Sequence, residues 1–270
     1  MEKKRRLEAD DKIAGRQIRL NVVKLDVRQD RPYSEVVFFG DLHLGSPECD
    51  LARAKRMLDY CEENNIYVFL MGDLVDNANR YSIGAGVYEA TMTPQEQLEQ
   101  IVDLLAPLAA KKLIIGNLAG NHEERLWKET GVNMAKVISK MLGVPYLGAA
   151  CWSLFRVGKE AYRVYALHGS SSSRYIFTKL KALVDISHSF EGADLLVMAH
   201  VHECADASQL VQYVSLQSAS IKERKKWLII SGHYLRYDKS YGQAKGMPIA
   251  KLGSPKVKFF SDKHDIHISW

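Results

Sequence analysis

The chain has 270 residues, 47% apolar and 26% charged, which excludes disorder as its main state and leaves room for a large buried core. Its 37 Lys and Arg against 32 Asp and Glu give a formal charge of +5. That mild basicity suits an anionic substrate without demanding nucleic acid. Four scattered cysteines with no Cys-x-x-Cys pair argue against a zinc ribbon, a dithiol redox site or a disulfide framework.

Residues 2–6 are all charged, and Leu7-Glu8-Ala9-Asp10-Asp11 follows where a signal peptide would carry its apolar stretch. No apolar run approaches the ~20 residues that cross a bilayer, so the expected address is the cytoplasm, with no membrane partner. Residues 1–32 read as an N-terminal extension, with an alternating stretch at 18–25 expected to add a strand to the sheet. Residues 33–270 read as one domain.

From residue 34, short apolar runs alternate with helical stretches. The runs 36–39, 67–71, 113–115, 162–167 and 195–199 predict strands buried on both faces. Residues 50–63 predict a helix. Thr93-Pro94-Gln95-Glu96 predicts another, with Thr93 as cap, Pro94 in the first turn and Glu96 closing a capping box. Leu98, Ile101, Leu104, Leu105 and Leu108 then give that helix one buried face. Residues 174–187 predict a third. This alternation is the signature of an α/β core with helices outside. After residue 205 the runs 211–216, 227–230 and 256–260 predict strands of a second sheet in the same domain.

The chemistry lies at the far end of each run. Residues 36–39 lead into Gly40-Asp41-Leu42-His43, and 67–71 into Gly72-Asp73. Residues 113–115 lead into Gly120-Asn121-His122-Glu123, 162–167 into His168, and 195–199 into His200-Val201-His202. Ligands of open α/β sheets collect at the carboxyl ends of strands. Unpaired polar groups buried there cost several kcal/mol each, about 2–7 by transfer scales, and one or two cations would satisfy them. Asp41 and His43, like His200 and His202, are two apart, so an extended backbone points each pair to one side. The glycine before Asp41, Asp73 and Asn121 is expected to let the chain turn off the strand. Asn121 offers a neutral oxygen, and His122, pointing the other way, is left free for protons. Singly, each residue suits ordinary turn chemistry. Turn chemistry does not require the four histidines among them, His43, His168, His200 and His202.

In order and spacing these five motifs resemble the calcineurin-like metallophosphoesterases, from about residue 36 to 202. The context of Gly120 to Arg125, and of Ser231-Gly232 to Tyr241, is also similar to phage- or prophage-encoded members. The resemblance implies an α/β fold, a four-layer α-β-β-α sandwich, and two divalent ions, Mn²⁺ first, with Fe, Zn²⁺ or Ni²⁺ as alternatives. It implies that Asp41, His43 and His202 hold one metal, that Asn121, His168 and His200 hold the other, and that Asp73 bridges them. A metal-bridging hydroxide would attack phosphorus, and His122 would protonate the leaving oxygen, with Glu123 as the candidate to orient its ring. Ala199 stands where the family often has glycine.

Arg80, Arg125 and Arg174 lie just beyond motifs and are candidate phosphate forks. The loop 77–91, with Tyr81 and Tyr88, is a candidate cover for the site. His188 is expected at a helix C-terminus, and His233, His264 and His267 as structural or exposed. The basic runs 3–6 and 222–226 read as solvated faces. The expected activity is hydrolysis of phosphodiesters in DNA, RNA or nucleotides. Phosphomonoester hydrolysis, on protein or small nucleotides, is the alternative. A non-catalytic scaffold on the same fold would be expected to lack ligands that are all present here.

Overall fold

A computed structural model describes residues 19–27, 30–79, 82, 86–170, 173 and 175–270. Strands β1 (Arg19–Leu25) and β2 (Tyr33–Phe39) precede helix α1 (Leu51–Glu63) and β3 (Tyr67–Leu70). Helix α2 (Pro94–Ala110), β4 (Ile114–Asn117), α3 (Asn121–Thr130) and α4 (Met134–Leu142) come next. The second half holds β5 (Ala150–Val157), β6 (Glu160–Leu167), α5 (Ile176–Ser187), β7 (Leu195–Met198), β8 (Cys204–Ser215), β9 (Ser220–Ser231), β10 (Lys256–Phe260) and β11 (Ile266–Ser269).

These strands form two sheets. One has the order β11-β10-β2-β3-β4, and the other β1-β5-β6-β7-β9-β8. β2, β3 and β4 are parallel, as are β6, β7 and β9. The apolar runs are continuous because their two faces enter different cores. Along β2, Val36 and Phe38 face the other sheet, whereas Val37 and Phe39 face helices. Between the sheets, Phe155 meets Phe259 edge-on at 5.3 Å, and Phe38 meets Phe69 at 5.6 Å. Leu58, Ile101, Leu105 and Ile138 cover the five-stranded sheet from α1, α2 and α4. Leu183 of α5 packs with Leu196, Met198, Leu228 and Ile230 on the far side of the six-stranded sheet. The layers are therefore α-β-β-α.

Two expectations need correction. The five apolar runs do not share one sheet: the first three lie in one and the last two in the other. The second sheet is not confined to strands after 205: it takes β1 from the N-terminal stretch and then β5 to β9, whereas β10 and β11 return to the first. β5 escapes a search for apolar runs because it alternates, with Cys151, Ser153, Phe155 and Val157 inward. Helices α3 and α4 also lie outside the expected elements. α3 buries only Glu123, so it has no apolar stripe to show. α2 starts as expected: the Thr93 N–H donates to Glu96 Oε2 (2.7 Å), and the Glu96 N–H donates to Thr93 Oγ1 (3.3 Å).

Candidate metal centre and active site

The carboxyl ends of β2, β3, β6 and β7 meet the N-terminus of α3. The local backbone there is not extended. Asp41, His43, Asp73, Asn77, His200 and His202 all have φ between 46° and 70°. The left-handed region costs a non-glycine residue of order 1–3 kcal/mol, and it collects at functional sites. Convergence of Asp41 with His43, and of His200 with His202, therefore comes from left-handed turns and not from strand alternation. The turns are pinned to one another: the Leu42 and His43 N–H groups both donate to Asp73 O (2.9 and 3.0 Å), and the Tyr234 N–H donates to Asp41 O (3.0 Å).

The glycines serve close approach more than turning. Gly120 has an extended φ of −95°, and a Cβ on it would run into the Asp73 carboxylate. Of Gly40, Gly72 and Gly120, only Gly72, at φ +89°, combines both needs; its Cβ would lie 2.6 Å from Gly120 N.

Each carboxylate is half anchored. Asp41 Oδ2 accepts the His200 N–H, and Asp73 Oδ1 accepts the His122 N–H, both at 2.8 Å. The other oxygens, Asp41 Oδ1 and Asp73 Oδ2, are buried without a hydrogen bond. Imidazoles surround them. His168 Nε2, His43 Nε2 and His122 Nε2 lie 3.2, 3.8 and 3.9 Å from Asp73 Oδ2. His202 Nε2 lies 3.7 Å from Asp41 Oδ1, and only 3.0 Å from His43 Nε2. Asn121 Oδ1 faces His200 Nδ1 (2.7 Å) and His168 Nε2 (3.1 Å). The seven expected ligands are thus brought together.

Divalent cations fit this donor set. Asp41, His43 and His202 present ligand atoms within 4.8 Å of one another, as do Asp73, His168 and His200, and also His43, Asp73 and His122. Mixed carboxylate and imidazole donors suit first-row metals. Burial pushes Asp41 up to about 8, against the opposing pull of His168. Burial also takes His200 down to about 4 and holds His43 and His202 below the ordinary range, which keeps their lone pairs free near neutrality. Burial opposes charge on His168, but Asp73 and Asp41 lift it to about 10. Burial likewise opposes ionisation of Asp73, yet His168, His122 and His43 hold it well below the carboxylate range.

Glu123 does not orient the His122 ring. Its buried carboxylate accepts the N–H groups of Asp73 (3.0 Å), Leu74 (2.8 Å) and Gly120 (2.9 Å), so it fixes the backbone that carries Asp73. The ring is held by Asp76, a residue outside the five motifs. His122 Nδ1 lies 2.8 Å from Asp76 O and 3.1 Å from Asp76 Oδ1. Asp76 Oδ1 is also 3.5 Å from His43 Nδ1. A second acid three residues beyond Asp73 is the only sign of it in the sequence.

Arg125 lies beside the centre, with Nη1 3.1 Å from His122 Nδ1 and 3.5 Å from Ser82 Oγ. Arg80, Arg174 and Tyr81, and the basic run 3–6, lie outside the described residues. Tyr88 is fully exposed on a one-turn helix, Gly86–Glu89. His188 caps the C-terminus of α5. His233 is buried and belongs to this neighbourhood: its ring stacks on His202 at 5.3 Å, and its Nδ1 accepts the Leu235 N–H at 3.2 Å. The run 222–226 is not wholly solvated, because Lys226 is buried and donates to Ser187 O at 3.0 Å.

The family model of the calcineurin-like phosphoesterases matches residues 34–265. The chain belongs to the calcineurin-like phosphoesterases. It is accordingly a metal-dependent phosphoester hydrolase, with His and Asp clusters suited to divalent cations. Solved structures similar to this phosphoesterase include a conserved protein of Streptococcus pneumoniae TIGR4, a predicted phosphoesterase, at 11% identity and a TM-score of 0.39, covering 87% of this chain and 88% of that one. A metallophosphoesterase of Sphaerobacter thermophilus aligns at 12% identity and a TM-score of 0.36, with 87% of each chain covered. Vps29 of Entamoeba histolytica, solved with zinc, aligns at 12% and 0.36, covering 87% of this chain and 97% of that one. No curated protein matches. Among the described residues, no helix of the phosphoesterase is long and apolar enough to cross a membrane.

Proposed function

We propose that this phosphoesterase holds two divalent cations and hydrolyses phosphodiesters, with nucleic acid or nucleotides as the substrate class. Asp41, His43 and His202 would hold one cation and Asn121, His168 and His200 the other, with Asp73 shared. The observation that carries the reading is the pair of buried, unbonded oxygens, Asp41 Oδ1 and Asp73 Oδ2, set among the imidazoles. Such cations polarise a phosphoryl group and activate solvent for in-line attack. Manganese is the first candidate.

The remaining steps fall to the chain's own groups. Asp76 anchors Nδ1 of His122, which leaves Nε2 facing the centre. Burial disfavours charge on His122, but Asp73 and Asp76 lift it above the ordinary imidazole range. Its Nε2 is therefore placed to deliver a proton to the leaving oxygen. Arg125, three residues on, is placed to steady a phosphate oxygen. The net charge of +5 favours a polyanionic substrate.

The test is turnover of bis-p-nitrophenyl phosphate and p-nitrophenyl phosphate by the Mn²⁺-loaded protein. Faster turnover of the diester is expected. A clear preference for the monoester would overturn the substrate class, and no turnover of either with metal bound would overturn the catalytic reading.

A further inference from the structure

β8 is the outer strand of the six-stranded sheet. It pairs with β9 through twelve consecutive residue pairs, from Cys204↔Ser231 to Ser215↔Ser220, with no bulge. β7 supports β9 only from Trp227 to Ile230. Beyond that point the hairpin runs on as a two-stranded ribbon, and no other strand among the described residues pairs with the free edge of β8. Edge strands are normally defended by lysine, proline, a bulge or short length. β8 has none of these, and its one charged residue is Asp206.

Its side chains are apolar where they should be polar. Leu210 and Val214 share a face with Ile221 of β9 and are 66%, 66% and 73% exposed. Leu216, just past the strand, is almost fully exposed. An isolated two-stranded ribbon is marginal in water.

We propose that β8 pairs antiparallel with β8 of a second copy of this chain, about a two-fold axis at Gln212. Identical strands meeting antiparallel are self-complementary. In this register Leu210 of one copy faces Val214 of the other, Val211 faces Tyr213, and the Gln212 amides meet. The paired span is Gln209–Ser215 of each copy, so Asp206 lies beyond it and no like charges are opposed. The charges of the ribbon also favour a protein strand over a nucleic acid. Arg224 donates to Gly192 O and Glu191 O, Lys226 to Ser187 O, and Lys225 Nζ sits 3.9 Å over the Trp227 ring. Three of the run's four cations are already engaged within the fold.

The experiment is sedimentation of the full chain at micromolar and near-millimolar concentration, with two variants. A dimer is expected for wild type. Val214→Lys should raise the dimer dissociation constant roughly tenfold or more while leaving phosphodiester turnover unchanged, since Val214 lies outside the centre. Gln212→Cys should form an interchain disulfide on mild oxidation, whereas Ser208→Cys and wild type should not. A wild type that stays monomeric throughout overturns the proposal. So does a dimer that survives Val214→Lys without a Gln212→Cys cross-link. A monomer that instead retains duplex DNA, and loses it on Lys222→Glu with Lys225→Glu, makes the ribbon a nucleic-acid arm and also overturns it.

Discussion

Asp76 grips His122 twice on the same ring nitrogen, through its main-chain oxygen at 2.8 Å and its carboxylate at 3.1 Å. The main-chain contact survives substitution and the carboxylate does not. Asp76→Ala should therefore lower kcat about tenfold to a hundredfold, and, because the same carboxylate lies 3.5 Å from His43 Nδ1, it should weaken metal binding as well. His122→Ala should lower it by roughly a hundred- to ten-thousandfold. If His122 protonates the leaving oxygen, both losses shrink for a good leaving group such as p-nitrophenolate and grow for an alkyl ester. Equal losses on the two would count against that role.

Glu123 accepts N–H groups from the turn after β3 and from Gly120. Glu123→Gln replaces one acceptor oxygen with a donor that faces those same N–H groups. Leaving buried donors unpaired costs about 1–3 kcal/mol. Urea denaturation of the variant should show a loss in that range at an unchanged m-value.

Gly120→Ala places a methyl group against the Asp73 carboxylate and its N–H. Asp73 must move, and it is shared by both halves of the centre. Calorimetric titration with Mn²⁺ should show affinity down about tenfold to a hundredfold, with native secondary structure by circular dichroism.

Removal of metal should destabilise the protein as well as inactivate it. A ligand that binds only the native state at a hundred times its Kd adds about 2.7 kcal/mol. Exhaustive chelation should lower Tm, and Mn²⁺ should restore it. Asp73→Asn should lack the Mn²⁺-dependent rise.

His264 offers a pH test far from the metal ligands. Hydrogen bonding to Asp194 raises it, and so does Glu160 at 3.1 Å. A histidine raised in the folded state contributes fully below its unfolded value of ~6.5, and that contribution is lost as pH rises through the folded value. The Tm gap between wild type and His264→Gln should thus be widest at mildly acidic pH and close under alkaline conditions.

Legibility in the sequence depends on how each feature is encoded. The strands that bear the ligands are readable because burial on both faces leaves an unbroken apolar run, as in β2 and β7. Their division between two sheets is not, because a crossover leaves no local pattern. Asp41, His43, Asp73, Asn121, His168, His200 and His202 stand out by their place after such runs. The left-handed turns that bring them together carry no such mark, since aspartate and histidine fill positions where glycine would advertise the conformation. Asp76 and His233 escape for another reason. Each acts through a neighbour in space, His122 for one and His202 for the other, and neither belongs to a motif that spacing alone singles out.

Asp41, His43, Asp73 and Asn121 hang from one sheet, whereas His168, His200 and His202 hang from the other. Whatever charge sits among them is a rivet through the molecule's midline. Loosening the grip on that rivet and parting the two halves are the same event seen from opposite ends, so conditions that strain the interior should be felt first as leakage of the bound ions.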